Sequence, residues 1–224
     1  MSVSRTTIRR IATINYSANT TVTEQLTGVT GRIRRLWLEL GGTLTITTAG
    51  TNYLQTRSPG TIVPGLQLRL NHQQVLKQGR WNDWIDRAYC WGKLPAETQT
   101  GKTAAAHPFV SRIDWPFITP MAARPIDTIL QLGPTDRLDL EVTWGDDEDL
   151  VSNSTTQSLS TAPTIDVIAE MEAYIPGHTP DPVAIYKEQA FEEAETGTSA
   201  VTDYQGLKLQ VAPGLEHHHS VIVQ

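Results

Sequence analysis

The chain has 224 residues, of which 39% are hydrophobic and 19% are charged, so it can bury a core without disulfide or metal staples. A single cysteine excludes an internal disulfide, and no window approaches the roughly 20 apolar residues that cross a bilayer. We therefore expect a globular chain with neither a secretory leader nor a transmembrane segment.

The formal net charge of −6 conceals a gradient along the sequence. Residues 1–140 hold 16 basic and 9 acidic side chains, whereas residues 141–224 hold 2 basic and 15 acidic ones. Arginine outnumbers lysine by 13 to 5, and arginine is enriched at protein interfaces. The gradient predicts that identical copies associate, or that a basic surface faces nucleic acid or anionic lipid; the alternative is a solvated acidic end without a partner.

The first segment, residues 1–28, is short and polar. Ile8, Ile11 and Ile14 are separated by arginine and threonine, and three arginines precede the first acidic residue, Glu24. Such a segment cannot form a core of its own, and chain termini without a packed partner usually stay mobile. We predict an N-terminal arm.

The following residues alternate with a period of two, and the sequence contains 30 threonines, both of which favour β-strands. Gly41-Gly42 predicts a break between two strands, and 165–175 is compatible with either a strand or a helix. Further strands are predicted at 66–70, 110–117, 138–144 and 207–211, with weaker candidates at 89–91 and 129–132.

Helices are few in this pattern. Residues 81–91 predict a short amphipathic helix, and 186–195 contain good helix formers with a Glu-rich face. Residues 152–164 are typical of a Ser/Thr-rich loop, and 178–182 of a linker. About eight strands between Val29 and Ile175 predict an all-β, antiparallel jelly-roll sandwich. Residues 29–176 form this domain, and residues 177–224 form a C-terminal extension or the start of a second barrel.

The order of these elements resembles the upright jelly-roll coat proteins of tailless icosahedral bacteriophages and archaeal viruses, many of which have an internal membrane. The segments that carry the resemblance are 32–40, 42–46, 66–71, 112–117, 135–145 and 206–214. The last of them resembles the beginning of the second barrel in two-barrel members, although the length of the chain favours a single barrel.

The resemblance implies a structural virion protein, a capsid subunit that assembles in the host cytoplasm with other copies of itself and other capsid proteins. The arm would order only in the assembled particle. There Arg5, Arg9 and Arg10 would face inward, toward lipid headgroups or the packaged genome.

Three motifs suggest ligands. Residues 96–103 match a permissive phosphate-loop pattern that ends in Lys102 and Thr103, but Pro95 and Pro108 exclude the strand and the helix that such a loop requires. His217–His219 are adjacent and would alternate between two faces of a strand, so they cannot all bind one metal ion. The acidic run 146–149 lacks the spacing of a calcium loop, so we predict a solvated turn.

Catalytic motifs are absent from the sequence, so we predict that the chain is not an enzyme and needs no cofactor or metal. Cys90 is interpreted as a small core residue. Trp81, Trp84 and Trp91 are interpreted as core or interface anchors. If these tryptophans stack on sugars instead, the chain is a carbohydrate-binding β-sandwich of a phage receptor-binding structure. An enzyme is the third hypothesis.

Overall fold

The computed structural model describes residues 6–29, 31–48, 53–54, 57–90, 93, 97–98, 103–117, 129–152, 156–172 and 188–189. These residues form one α-helix, two 3-10 turns at 60–62 and 147–149, and thirteen strands. In chain order the helix and strands are β1 (Thr6–Asn15), β2 (Thr21–Gln25), β3 (Gly31–Ile46), β4 (Tyr53–Leu54), β5 (Gly65–Leu70), β6 (Gln74–Gly79), α1 (Trp81–Cys90), β7 (Glu97–Thr98), β8 (Ala106–Pro116), β9 (Leu130–Leu132), β10 (Leu138–Thr143), β11 (Val151–Ser152), β12 (Gln157–Glu172) and β13 (Glu188–Gln189).

Two sheets account for most of these strands. Sheet A has the order β1-β12-β3-β8-β7, with β9 also pairing with β3, and sheet B has the order β13-β6-β5-β10-β2. Eight strands pair in a nested antiparallel order: β1 with β12, β2 with β10, β3 with β8, and β5 with β6. A long antiparallel ribbon that rolls into two facing sheets in this way is a jelly roll, so the predicted fold class is confirmed.

The N-terminal segment differs from its prediction. β1 pairs with β12 over nine registered positions, and β2 pairs with β10 over five, so residues 6–25 supply the first two of the eight strands. Residues 6–25 are therefore strands of the sandwich in this structure, and an arm that orders only on assembly stays a prediction. The pairing buries Ile14 between the sheets, whereas the polar side chains around it lie on the side of the strand that meets solvent.

β3 runs without interruption through Gly41 and Gly42, where the sequence predicted a break. Leu36, Leu38 and Leu40 point into the core, and the alternation continues beyond the glycines to Leu44 and Ile46. Gly42 lies on the core-facing side of the strand, where a Cβ would lie 2.8 Å from Phe109 Cζ, so glycine at this position leaves room for the Phe109 ring.

β12 is a single strand of 16 residues that ends at Glu172. Of the two alternatives for 165–175, strand or helix, the strand is therefore correct for residues 165–172. It also covers 157–164, most of the predicted Ser/Thr-rich loop. The Ser/Thr-rich composition of 157–164 predicted a loop, but these residues pair with β3, which extends as far as Ile46 opposite Gln157. The partner strand is distant in sequence, so local composition does not reveal it.

α1 confirms the predicted helix, with Trp81, Trp84 and Ile85 buried. It packs against β8, where the Trp84 and Trp115 rings meet edge to face at a centroid distance of 5.3 Å. At 10 residues α1 is too short to cross a bilayer, and no other described helix is long and apolar enough to do so. Of the candidate helix at 186–195, the described residues Glu188–Gln189 instead form β13, which is parallel to β6.

Candidate assembly surface

Arg9 and Arg10, two of the three predicted basic residues, lie on β1, the edge strand of sheet A. Arg9 donates a hydrogen bond to the carbonyl oxygen of Gly28, in the loop between β2 and β3. Arg10 donates to Asp166 on β12 over 3.0 Å, although its side chain stays 64% exposed. Arg5 lies outside the described residues. Arg9 and Arg10 therefore both have partners within their own chain.

A β-bulge at Ile11 sets the directions of these side chains. The register of β1 against β12 shifts between Arg10 and Ala12, which reverses the alternation at that point. Arg10 consequently shares a face with Thr13, and both bond to the carboxylate of Asp166. A bulge and two arginines on an edge strand also hinder the addition of another strand.

The outer face of sheet A presents four strands side by side, and the register places their outward side chains in rows. The rows, each in the order β1, β12, β3, β8, are Ile8-Glu170-Arg35-Pro116, Arg10-Ile168-Trp37-Asp114, Thr13-Asp166-Glu39-Arg112 and Asn15-Thr164-Gly41-Val110. Cross-strand neighbours of this kind lie about 5 Å apart at Cβ, so side chains in one row touch.

Ion pairs link these side chains both within a row and between the first and second rows. Arg35 contacts Glu170 at 3.2 Å and Asp114 at 3.6 Å, and Arg112 contacts Glu39 at 3.5 Å. The five side chains are between 16% and 42% exposed, so water screens them only partly. The network fixes the conformation of long side chains that would otherwise lose entropy on forming a contact.

Trp37 lies at the centre of this face beside Ile168, and both side chains are half-buried. The guanidinium of Arg112 lies 4.9 Å from the Trp37 ring centroid, and that of Arg35 lies 5.4 Å from it. Both distances are within cation–π range. We call this set of side chains the Trp37 patch: the apolar pair Trp37 and Ile168, ringed by Arg10, Arg35, Glu39, Arg112, Asp114, Asp166 and Glu170.

The outer face of sheet B has a different chemistry. Its rows, in the order β2, β10, β5, are Gln25-Asp139-Arg69, Thr23-Glu141-Gln67 and Thr21-Thr143-Gly65. Arg69 pairs with Glu141 at 3.1 Å. Threonine and glutamine occupy five of these nine positions, so this face is polar and lacks a tryptophan, whereas the arginine and tryptophan of the Trp37 patch are the residue types that dominate protein interfaces.

A buried polar relay fastens α1 to sheet A. The Trp81 indole N–H donates to Ser111 Oγ over 2.8 Å, and the Ser111 hydroxyl donates to Glu97 Oε1 over 2.9 Å. Burial raises the pKa of the Glu97 carboxyl. The hydrogen bond from Ser111 lowers this pKa and so offsets part of the increase, whereas the negative charge of Asp86 raises it further. The three residues come from α1, β8 and β7, so the relay fixes the positions of these elements relative to one another.

The three motifs that suggested ligand binding do not form binding sites within the described part of the chain. Thr103 begins a bend that leads directly into β8, so the helix required after a phosphate loop does not follow; Lys102 itself lies outside the described residues. Asp146 and Asp149 cap the 3-10 turn between them by accepting bonds from backbone amides, as expected for a solvated turn. Among the described residues no three His, Cys, Asp or Glu side chains cluster as metal ligands, and His217–His219 lie beyond them.

Two interpretations of single residues have different outcomes. Cys90 is exposed at the end of α1, so the prediction of a core cysteine is wrong. Trp81 and Trp84 are buried, as predicted for core anchors, and Trp91 lies outside the described residues. The core prediction failed for Cys90 because this residue is the last of the helix and lies more than one turn past Ile85, the last buried residue of α1.

Sequence reasoning did not identify the Trp37 patch. The alternation of Leu36, Leu38 and Leu40 with Arg35, Trp37 and Glu39 does show in the sequence that the second set points outward. The neighbours on β1, β8 and β12 are far away in sequence, so only the register brings them to Trp37.

No protein-family model and no curated protein matches the sequence. Among solved structures, a crystal structure of the STIV MCP, a viral major capsid protein, is similar with a TM-score of 0.54 and 11% identity, covering 75% of this chain and 48% of that chain. A chain in an atomic structure of Sulfolobus Turreted Icosahedral Virus gives a TM-score of 0.52 at 13% identity, covering 74% of this chain and 45% of that chain. The chain thus spans about half the length of the chains in these two structures, with which it shares the jelly-roll fold.

Proposed function

We propose that this chain is a capsid subunit of an icosahedral virus, which self-associates with other copies into the shell of the virion. Its role is structural and not enzymatic. Many copies make weak lateral contacts, and closed symmetry adds these contacts into a stable particle.

One observation carries the proposal: the nested pairing of eight strands in two facing sheets, in an arrangement similar to the STIV MCP. The Trp37 patch supports it, because side chains already held by ion pairs lose less conformational entropy when an interface between copies forms. The opposite charges of the two parts of the sequence support it too, since they favour the approach of identical copies.

Arg9 and Arg10 bear on the partners of the subunit. Both bond within the chain, and Arg10 also belongs to the Trp37 patch, so the geometry favours another copy over lipid or nucleic acid as the partner of this region. The inward-facing role of Arg5, Arg9 and Arg10 stays a prediction.

Among the residues that the structure describes, no specific observation favours carbohydrate binding. Trp81 and Trp84, two of the three tryptophans proposed to stack on sugars, are inside the core. The half-buried Trp37 already has guanidinium groups beside its ring.

Sedimentation velocity and negative-stain microscopy of the purified full chain test the proposal. We expect rings, sheets or shells whose formation depends on salt, because ionic strength near 0.15 M screens exposed charges beyond about 8 Å. A protein that remains monomeric at high concentration in low salt would contradict the capsid function.

A further inference from the structure

We propose that the Trp37 patch is a two-fold contact in which the outer face of sheet A meets the same face of a second copy. The proposal rests on the capsid function and names the surface and the partner. Three features of the described residues support it: the composition of the patch, its layout, and its complementarity to itself.

The composition and layout match an energetic centre of an interface. Such centres are rich in Trp and Arg, and a rim of polar groups around them excludes water. Trp37 and Ile168 form the apolar centre, and the seven charged side chains of the patch form the rim. The rim holds three cations and four carboxylates, so two such faces meet with little net repulsion.

The register shows how two copies would match. A two-fold axis that runs along the strands between β12 and β3 places β12 of one copy opposite β3 of the other. Within the second row this brings Ile168 onto Trp37 of the second copy, and within the first row it brings Glu170 onto Arg35. The apolar centre is thereby buried, and the charges nearest the axis have opposite signs.

The same axis places β1 opposite β8. Arg10 then faces Asp114 of the second copy, and Ile8, which is 62% exposed, faces Pro116. Facing sheets pack about 10 Å apart and within about 30° of parallel, a distance that arginine and carboxylate side chains span together.

One pair in the third row has like charges, because Asp166 faces Glu39 of the second copy. Each of these carboxylates already has a cation in its own chain: Arg10 contacts Asp166 at 3.0 Å, and Arg112 contacts Glu39 at 3.5 Å. Their negative charge is therefore compensated before the two faces meet. Asp114 and Glu170 also contact cations of their own chain, Lys93 at 3.7 Å and Arg35 at 3.2 Å, so the two attractive pairs extend existing ion pairs across the contact. With two attractive pairs and one like-charged pair that is compensated, the face is complementary to itself.

A mixing experiment with two charge reversals tests the contact. Arg10→Glu alone places a carboxylate against Asp114 twice in a symmetric pair, and Asp114→Arg alone places two arginines together twice. We expect each variant by itself to associate at least about tenfold more weakly than the wild type, because like charges that meet at an interface are strongly unfavourable. An equimolar mixture allows mixed pairs in which opposite charges meet again, so its association should return close to the wild-type level.

Sedimentation velocity on the full chain provides the readout, and circular dichroism checks that each variant folds. Arg69→Glu, which replaces an ion-paired arginine on the outer face of sheet B, is the matched control and should associate like the wild type. Glu170→Arg and Arg35→Glu, mixed in the same way, test the positions nearest the axis if either first variant misfolds. A merely structural role of these side chains predicts no recovery on mixing.

The outcomes separate this contact from the capsid proposal. If the wild type forms particles and neither variant weakens them, or if mixing restores nothing, the contact is refuted and the capsid function stands. If the wild type forms only a dimer that the mixing experiment confirms, the contact stands and the capsid function fails. If the wild type is monomeric under all conditions, both proposals fail.

Discussion

The hydroxyl of Ser111 links two other elements to β8 through hydrogen bonds to Trp81 and Glu97. It accepts a hydrogen bond from Trp81 and donates one to Glu97, and it is itself completely buried. Ser111→Ala leaves a buried indole N–H and a half-buried carboxylate without this partner, so we expect a loss of about 1–3 kcal/mol in the free energy of unfolding. Urea unfolding measures it. The exposed Ser158→Ala, on β12, is the control and should change stability by less than about 0.5 kcal/mol; equal effects of the two would contradict the importance of the relay.

Gly41 and Gly42 are neighbours on β3 with different surroundings. A Cβ on Gly42 would lie 2.8 Å from Phe109 Cζ and 3.1 Å from Pro163 Cα, whereas one on Gly41 would have only an ordinary contact at 3.8 Å. We expect Gly42→Ala to destabilise the protein by about 1–3 kcal/mol through overpacking, and Gly41→Ala to have a much smaller effect. Thermal unfolding of both variants checks this difference. Recovery of Gly42→Ala by Phe109→Leu would identify the ring as the cause.

At the scale of elements, β1 is either part of the folded sandwich or an arm that orders on assembly. Ile14 is 1% exposed and Ile8 is 62% exposed, so the two isoleucines of one strand distinguish these cases. We expect Ile14→Ala to cost about 2–5 kcal/mol in the unassembled protein, and Ile8→Ala to cost less than about 0.5 kcal/mol. Chemical denaturation at concentrations below association measures both. If both substitutions have equally negligible effects on stability, β1 is instead an arm that orders only on assembly.

The pH dependence of stability belongs to the whole molecule, and Glu97 contributes with a known sign. Burial raises its pKa above the ordinary value of 4.5, so the folded state binds this proton more tightly than the unfolded state. The stabilisation is complete below pH 4.5 and is lost as pH rises through the folded pKa. Replacement by Gln removes this titration, so we expect the stability of Glu97→Gln relative to the wild type to increase from pH 4 to pH 7. Denaturation curves across this range test it, and a constant difference would contradict it.

Asp136 acts in the opposite direction. Hydrogen bonds from the Asn71 side chain and the Gly133 amide lower its pKa below the ordinary 3.8. Its contribution to stability is therefore present at neutral pH and is lost as pH falls. Since several groups titrate in the acid range, the comparison with Glu97→Gln, and not the wild-type profile alone, isolates the effect of Glu97.

The sequence by itself determined the all-β class, the strands β5, β8 and β10, the helix at α1 and the orientation of the β3 leucines, because alternation of apolar and polar residues is local. The tertiary structure alone decided the pairing. Arg10 and Asp166 are 156 residues apart, and no local pattern indicates that they touch. For the same reason β1 looks like a polar arm until β12 is placed beside it, and the Trp37 patch does not exist until four strands from distant parts of the sequence lie in register.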